Sequence, residues 1–287
     1  MPPPGLIRVL LASILRGMTS KTTLPGRVLI VAGSDSGGGA GIQADIKTVT
    51  VLGAYAMTAV TAITVQNTKG VTAVHEVPLD IVAGQIEAVM EDLGADVIKT
   101  GMLASKPMIE NVADTLQRYA ARVPRVVDPV MRAKGGHALL AEDAAAALIR
   151  RLVRGAAVVT PNLPEAEVLT GRRIKTISDM EEAVDACRAL GAEAVLLKGG
   201  HLEGAKLLDL LITREGVMRF EDTRIDTTST HGTGCTLASA IAAGLARRES
   251  LLDAVTHARA YVRKAILTAP GLGHGHGPLN HGHVLNT

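Results

Sequence analysis

The chain predicts an α/β fold, with a mostly parallel central sheet, helices on both faces and a small antiparallel hairpin at one edge. Three observations carry that expectation. From Arg27 onward, short β-branched runs alternate with longer amphipathic segments, the signature of repeated strand–helix units. Each apolar run stops at a polar residue or a turn. Late in the chain, two neighbouring runs are joined only around Arg214-Glu215-Gly216, the spacing of a hairpin. No internal repeat or linker interrupts the pattern, so one domain over 27–287 is expected.

In chain order, the buried runs Val28 to Ala32, Met57 to Val65, Asp96 to Thr100, Val126 to Asp128, Ala156 to Thr160 and Ala194 to Lys198 read as strands. Helical periodicity marks Gly41 to Leu52, Pro78 to Leu93, Lys106 to Ala121, Glu142 to Val153, Ser178 to Leu190, Thr233 to Arg247 and Leu251 to Thr268. Ser178 followed three residues on by Glu181 predicts a capping box at the start of its helix. Leu207 to Thr213 and Val217 to Glu221 form the edge hairpin. Residues 1–26 carry a Pro2-Pro3-Pro4 head and a short apolar patch unlike the rest, and a poorly ordered extension is expected there, with Met18 as a candidate start.

Composition narrows the function. The charges nearly balance, 30 basic against 28 acidic residues, with no basic run, and only three tyrosines and one phenylalanine are available to stack on bases. Nucleic acid is not an expected partner. No stretch reaches the roughly 18 apolar residues of a membrane span. Cys187 and Cys235 are too few for a disulfide framework and suit a reducing, cytoplasmic setting.

The most informative segment is Ser229-Thr230-His231-Gly232-Thr233-Gly234-Cys235-Thr236, a small-residue loop running into an apolar helix. A helix start presents backbone N–H groups without intrahelical acceptors and the positive end of the dipole, so an anion settles there. Gly232 and Gly234 let the backbone approach it, and Cys235 on the first turn is expected to have its thiol pKa lowered. The first strand delivers the chain into Gly33-Ser34-Asp35-Ser36-Gly37-Gly38-Gly39-Ala40-Gly41. This lacks the Lys of a P-loop. Gly39-x-Gly41-x-x-Ala44 fits a dinucleotide fingerprint, making a nicotinamide oxidoreductase a rival reading, but Gln66-Asn67 stands where the ribose-binding acid belongs. A non-catalytic ligand sensor is a second rival. Asp128 and Glu165 follow successive strands and suit a metal-nucleotide, or equally the caps of neighbouring helices. Lys198 ends a further strand as a candidate phosphate contact.

Taken together, Gly33 through Asp45, Gln66-Asn67-Thr68, Lys99-Thr100-Gly101-Met102-Leu103, Asp128-Pro129-Val130-Met131, Thr160 through Ala166, Lys198 through His201, His231 through Thr236 and Gly277 through His281 resemble the bacterial hydroxymethylpyrimidine/phosphomethylpyrimidine kinases of thiamine biosynthesis, within the ribokinase superfamily. The resemblance implies a ribokinase-like fold, ATP and Mg²⁺ as cofactors and a homodimer. It also implies successive phosphorylation of 4-amino-5-hydroxymethyl-2-methylpyrimidine and of its monophosphate. It places the pyrimidine among Gly33, Asp45, Gln66, Met102 and Val130, ATP and Mg²⁺ over Asn162, Glu165 and Lys198, and the N–H groups of Thr233 and Gly234 on the moving phosphoryl, while the strand-end reading adds Asp128 to Glu165 as a metal holder. Gly232, Thr233 and Gly234 would cradle the moving phosphoryl beside Cys235 as proton acceptor. A pyridoxine/pyridoxal kinase of the same superfamily is the alternative, since it shares the Gly-Thr-Gly-Cys-like loop. The histidines His274, His276, His281 and His283 lie on a glycine-rich tail and are not expected to form a metal site.

Overall fold

The computed structural model describes residues 26–131 and 144–286. The extension expected over 1–26, with its candidate start at Met18, lies outside these residues except for Gly26, as does the beginning of the helix expected from Glu142.

The strands are β1 (Arg27–Asp35), β2 (Tyr55–Asn67), β3 (Gly70–Glu76), β4 (Val97–Thr100), β5 (Arg125–Val127), β6 (Val158–Val159), β7 (Ala194–Lys198), β8 (Lys206–Thr213) and β9 (Val217–Thr223). They form one sheet in the order β3-β2-β1-β4-β5-β6-β7-β8-β9. The six strands from β2 to β7 in that order are parallel, and the hairpin β8–β9 closes one edge as expected. The opposite edge was not expected: β3 folds back antiparallel on β2. Its residues are mostly exposed, so it carries no buried alternation from which a strand can be read.

The helices are α1 (Gly41–Val51), α2 (Leu79–Asp92), α3 (Lys106–Tyr119), α4 (Ala144–Leu148, continuing as a wider turn over Ile149–Val153), α5 (Leu163–Thr170), α6 (Ile177–Glu182), α7 (Val184–Ala189), α8 (Thr233–Ala246) and α9 (Leu251–Leu267). The single helix expected from Ser178 to Leu190 is therefore two, divided at Ala183. Its capping box lies earlier than predicted. Thr176 is extended and accepts from the Asp179 N–H, while Asp179 accepts from the Thr176 N–H at 2.9 Å. The two-residue shift follows because the cap must precede the first helical residue, which is Ile177. α5 was also unanticipated; eight residues with Pro164 in the first turn give too short a run for periodicity to register.

β1 shows why the sheet is central. Val28, Ile30 and Ala32 point into a core with α1, α8 and α9, whereas Leu29 and Val31 point into a second core with α2, α3 and the segment around Leu152. A strand covered on both faces carries a continuous apolar run, as this one does over 28–32. α8 is buried nearly all round and built from Ala, Gly and Ser, which lets it lie close against its neighbours: a Cβ on Gly244 would come within 2.9 Å of Ala254. The chain leaves β1 towards β2 on one side and returns to β4 on the other, so a crevice opens beyond the carboxyl ends of β1 and β4.

Candidate active site

That crevice is a cleft of about 630 Å³, bordered by the ends of β1, β2, β4, β5 and β7 and by the start of α8. Gly33, Gln66, Met102, Val130, Asn162, Glu165, Asp128, Lys198, Gly232, Thr233, Gly234 and Cys235, all expected in the site, line it together. Asp45 does not. It is fully buried one layer below, where its carboxylate accepts from Lys99 Nζ at 2.8 Å and from Ser239 Oγ at 2.7 Å.

The loop after β1 is built around Asp35. Its carboxylate accepts from the N–H groups of Gly37 at 2.7 Å, Gly39 at 3.1 Å and Ala40 at 2.8 Å, winding the glycines around it. Burial would raise this carboxyl, but the bond to His231 and the backbone donors prevail and hold it below the ordinary range. The chain then turns sharply at Gly41, which has φ +54° and leaves 2.4 Å between a would-be Cβ and the Gly33 carbonyl oxygen. Only glycine fits there. Ser36 fastens the end of β2 to the same loop, donating to the Gln66 carbonyl at 2.8 Å and accepting from its N–H at 2.9 Å.

The α8 loop locks onto this one. His231 Nε2 lies 2.8 Å from Asp35 and 3.4 Å from Gln66 Nε2. Gly232, at φ +80°, caps α8 without any side-chain bond and sits so close to Gly39 that a Cβ would lie 1.8 Å from its carbonyl oxygen. Thr233 N–H makes only a long 3.5 Å contact with the Thr230 carbonyl. The N–H groups of Gly234 and Cys235 have no acceptor among the described residues and face the cleft as an anion hole. A Cβ on Gly234 would lie 3.3 Å from Lys198 Nζ and 3.7 Å from Asp128 Oδ2, so hole, lysine and carboxylate are neighbours.

Lys198 Nζ approaches Asp128 at 3.5 Å. Burial opposes its charge, but Asp128 and Glu165 raise its pKa and keep it an ammonium. Glu165 both caps and faces the cleft: Oε2 accepts from the Asn162 N–H at 2.8 Å while Asn162 Oδ1 accepts from the Glu165 N–H at 2.9 Å. Burial, with Asp128 nearby, pushes the Glu165 carboxyl up to about 7 despite Lys198. Two carboxylates crowded so closely suit a divalent cation, whose charge would relieve both. Among the described residues no cluster of three or more ligating side chains forms a closed cage. The donor set thus fits Mg²⁺, which takes one or two carboxylates and completes its shell with phosphate and water.

The thiol departs from expectation. Desolvation pushes Cys235 up to about 12; Lys99 lowers it, but Asp45 and Asp128 raise it further. At the start of α8 the dipole is outweighed by burial among carboxylates, and the resting sulphur is a neutral thiol. Asp35, His231 and Lys99 also belong to the site although no role was expected of them. All three stand inside motifs visible in the chain, but only folding shows what they touch.

Moving a phosphoryl group onto a small acceptor is the chemistry that uses an anion hole, a lysine beside two carboxylates and an apolar recess in one crevice, and the fold around it is that of the ribokinase-like kinases. The family model described as phosphomethylpyrimidine kinase matches residues 35–280, and the chain belongs to that family. A hydroxymethylpyrimidine/phosphomethylpyrimidine kinase from Rhizobium meliloti is 50% identical over 258 residues, covering 89% of this chain and 96% of its own. A thiamine biosynthesis bifunctional protein from Geobacter sulfurreducens is 52% identical over 256 residues, 89% of this chain but only 52% of that longer protein. Among solved structures, a phosphomethylpyrimidine kinase from Clostridium difficile shares 41% identity at a TM-score of 0.74, covering 84% of this chain and 99% of its own. The pyridoxal kinase from Staphylococcus aureus in complex with AMP-PCP and pyridoxal shares 35% identity at a TM-score of 0.82, covering 90% and 94%. Among the described residues, no helix is long and apolar enough to cross a membrane.

Proposed function

We propose that this kinase phosphorylates 4-amino-5-hydroxymethyl-2-methylpyrimidine and then its monophosphate, using ATP, as a step towards thiamine. The observation that carries the reading is the convergence of Gln66 with the Gly234 anion hole on one cleft. Gln66 offers both an amide donor and an acceptor to a ring bearing an amino group beside a ring nitrogen. Gly33, Met102 and Val130 supply the apolar walls of that recess, while Asp45 acts from behind it through Lys99.

On this reading ATP lies along Asn162, Lys198, Thr233 and Gly234, with Mg²⁺ at Asp128 and Glu165. Held by those two carboxylates, the cation would supply positive charge against the phosphates. Lys198 and the N–H groups of Gly234 and Cys235 hold the phosphoryl oxygens in line with the acceptor hydroxyl, and most of the rate comes from that positioning. Cys235 takes the hydroxyl proton, which requires it to reach the thiolate form. The homodimer implied by the resemblance and the cytoplasmic setting suited to the two free cysteines belong to the same proposal, and sedimentation and cell fractionation test them.

The decisive experiment supplies the protein with Mg-ATP and, separately, the hydroxymethylpyrimidine, its monophosphate and pyridoxal, and follows ADP. Turnover of both pyrimidines is expected, and absence of turnover with the monophosphate overturns the reading. The likeness to a pyridoxal kinase favours a second reading, vitamin B6 phosphorylation, which predicts turnover of pyridoxal alone.

A further inference from the structure

The side-chain amide of Gln66 stands between two groups whose protons are already committed. Thr64 and Gln66 alternate on β2 and so share a face, and Thr64 Oγ1 lies 3.1 Å from Gln66 Oε1. The same hydroxyl lies 2.9 Å from the Ser34 carbonyl oxygen. A carbonyl only accepts, so the single Thr64 proton goes to Ser34 and the hydroxyl turns lone pairs towards the amide. At the other end, His231 Nε2 lies 2.8 Å from Asp35 and 3.4 Å from Gln66 Nε2. The Asp35 carboxylate accepts from the N–H groups of Gly37, Gly39 and Ala40 and brings no proton of its own, so His231 Nε2 carries the hydrogen and donates. The ring is packed against Gly39, where a Cβ would come within 2.5 Å of its Cδ2. In this arrangement the amide oxygen faces lone pairs and the amide nitrogen faces an N–H, so neither end is satisfied. The oxygen and nitrogen of an amide fill nearly the same space, and the hydrogen bonds around them decide which is which.

We infer that the Gln66 amide rests turned end for end, with Nε2 donating to Thr64 Oγ1 and Oε1 taking a share of the His231 Nε2–H, and that Thr64 and His231 are positioning residues fixing the polarity of the acceptor pocket. For its substrate consequence the inference rests on the pyrimidine reading above. One amide proton and one oxygen lone pair remain for a ligand, the donor on the Thr64 side and the acceptor on the His231 side. A 4-aminopyrimidine must then set its ring nitrogen towards Thr64 and its amino group towards His231. The carbon bearing the hydroxymethyl adjoins the amino-bearing carbon on the side away from that nitrogen, so the hydroxyl is aimed past His231 at the Gly232-Thr233-Gly234 loop. The opposite polarity would point it away from the phosphoryl group. A 4-oxo pyrimidine, with an acceptor oxygen beside a ring N–H, needs that opposite polarity and is rejected.

Two measurements test the inference, one of them without substrate. Neutron diffraction from crystals of the deuterium-exchanged protein should place both amide deuterons on the atom nearest Thr64, and deuterons on the atom nearest His231 overturn the inference. With Mg-ATP, the wild type should favour 4-amino-5-hydroxymethyl-2-methylpyrimidine over its 4-oxo analogue by at least about 10²-fold in kcat/KM, because a mismatched ligand leaves polar groups of the site unpaired. In Thr64→Val, and in His231→Phe, the amide is released at one end and that ratio should fall by about fivefold or more. A ratio of two acceptors on one preparation is not moved by loss of folded enzyme, and Thr64→Val keeps the His231–Asp35 contact should His231→Phe not fold. A wild-type ratio near one, or an unchanged ratio in Thr64→Val, overturns the positioning role. If neither pyrimidine is turned over, the substrate reading fails while the deuteron positions still decide the amide.

Discussion

Asp35 and His231 meet at 2.8 Å although 196 residues separate them along the chain. This contact ties the glycine loop after β1 to the loop before α8. Asp35→Asn should lower stability at pH 7 by about 3 kcal/mol, because an amide with one acceptor oxygen replaces a buried carboxylate that accepts from three backbone N–H groups and contacts His231. The Asp35 carboxyl is held below its ordinary value, so its stabilisation is complete above the unfolded pKa and fades as pH falls through the folded one. Urea midpoints of wild type and variant should therefore converge below about pH 4.

Two glycines of one loop should respond differently to a methyl group. In Gly234→Ala the new Cβ meets the flexible end of Lys198 at 3.3 Å, so the protein should fold while kcat drops about 10²–10³-fold from the obstructed hole. In Gly232→Ala the Cβ would stand 1.8 Å from a backbone oxygen with φ at +80°, and little soluble protein is expected. Expression yield, thermal melts and turnover separate the two.

Glu165→Gln removes a charge but keeps an oxygen for the Asn162 N–H. Stability should hold or rise, since a buried carboxyl under repulsion becomes neutral. The Mg²⁺ concentration for half-maximal activity should increase by about tenfold or more. A large loss of melting temperature instead would show that Glu165 acts only as a cap.

Cys235→Ala should reduce kcat by about 10²–10⁴-fold on the hydroxymethyl acceptor. With the thiol pushed up to about 12, the thiolate grows with alkalinity throughout the working range. Wild-type kcat should climb nearly tenfold per pH unit between about pH 6 and 9, and the variant profile should be flat.

His281, only 5% exposed, contacts Thr236 Oγ1 at 3.0 Å, and burial lowers its pKa to about 4. The folded protein then binds fewer protons than the unfolded chain between about pH 4 and 6.5, so stability is greatest above that window and declines as pH falls through it, by about 3 kcal/mol in all. His281→Gln should flatten this slope in denaturant titrations.

Much of the fold is legible because strands buried on two faces carry continuous apolar runs, and β1 over 28–32 and β7 over 194–197 announce themselves in this way. Site residues were legible where they sit at strand ends, as Asp128 and Lys198 do. β3 was hidden because it is an exposed edge, and α5 because it is short. The position of Asp45 was hidden for another reason: its helix is visible in the periodicity, but a buried lysine from a separate strand claims its carboxylate. The thiol of Cys235 likewise depends on neighbours from α1, β4 and β5 that no local pattern brings together.

The C-terminal tail grips the β2–β3 turn: the Thr68 carbonyl accepts from the His276 N–H at 2.8 Å, and Thr68 Oγ1 accepts from the His274 N–H at 3.2 Å. This turn begins two residues after Gln66, so the acceptor pocket is braced by a segment 206 residues further along the chain. Disturbing that segment would reach the acceptor side of the cleft while leaving the strands that build the rest of the site in place.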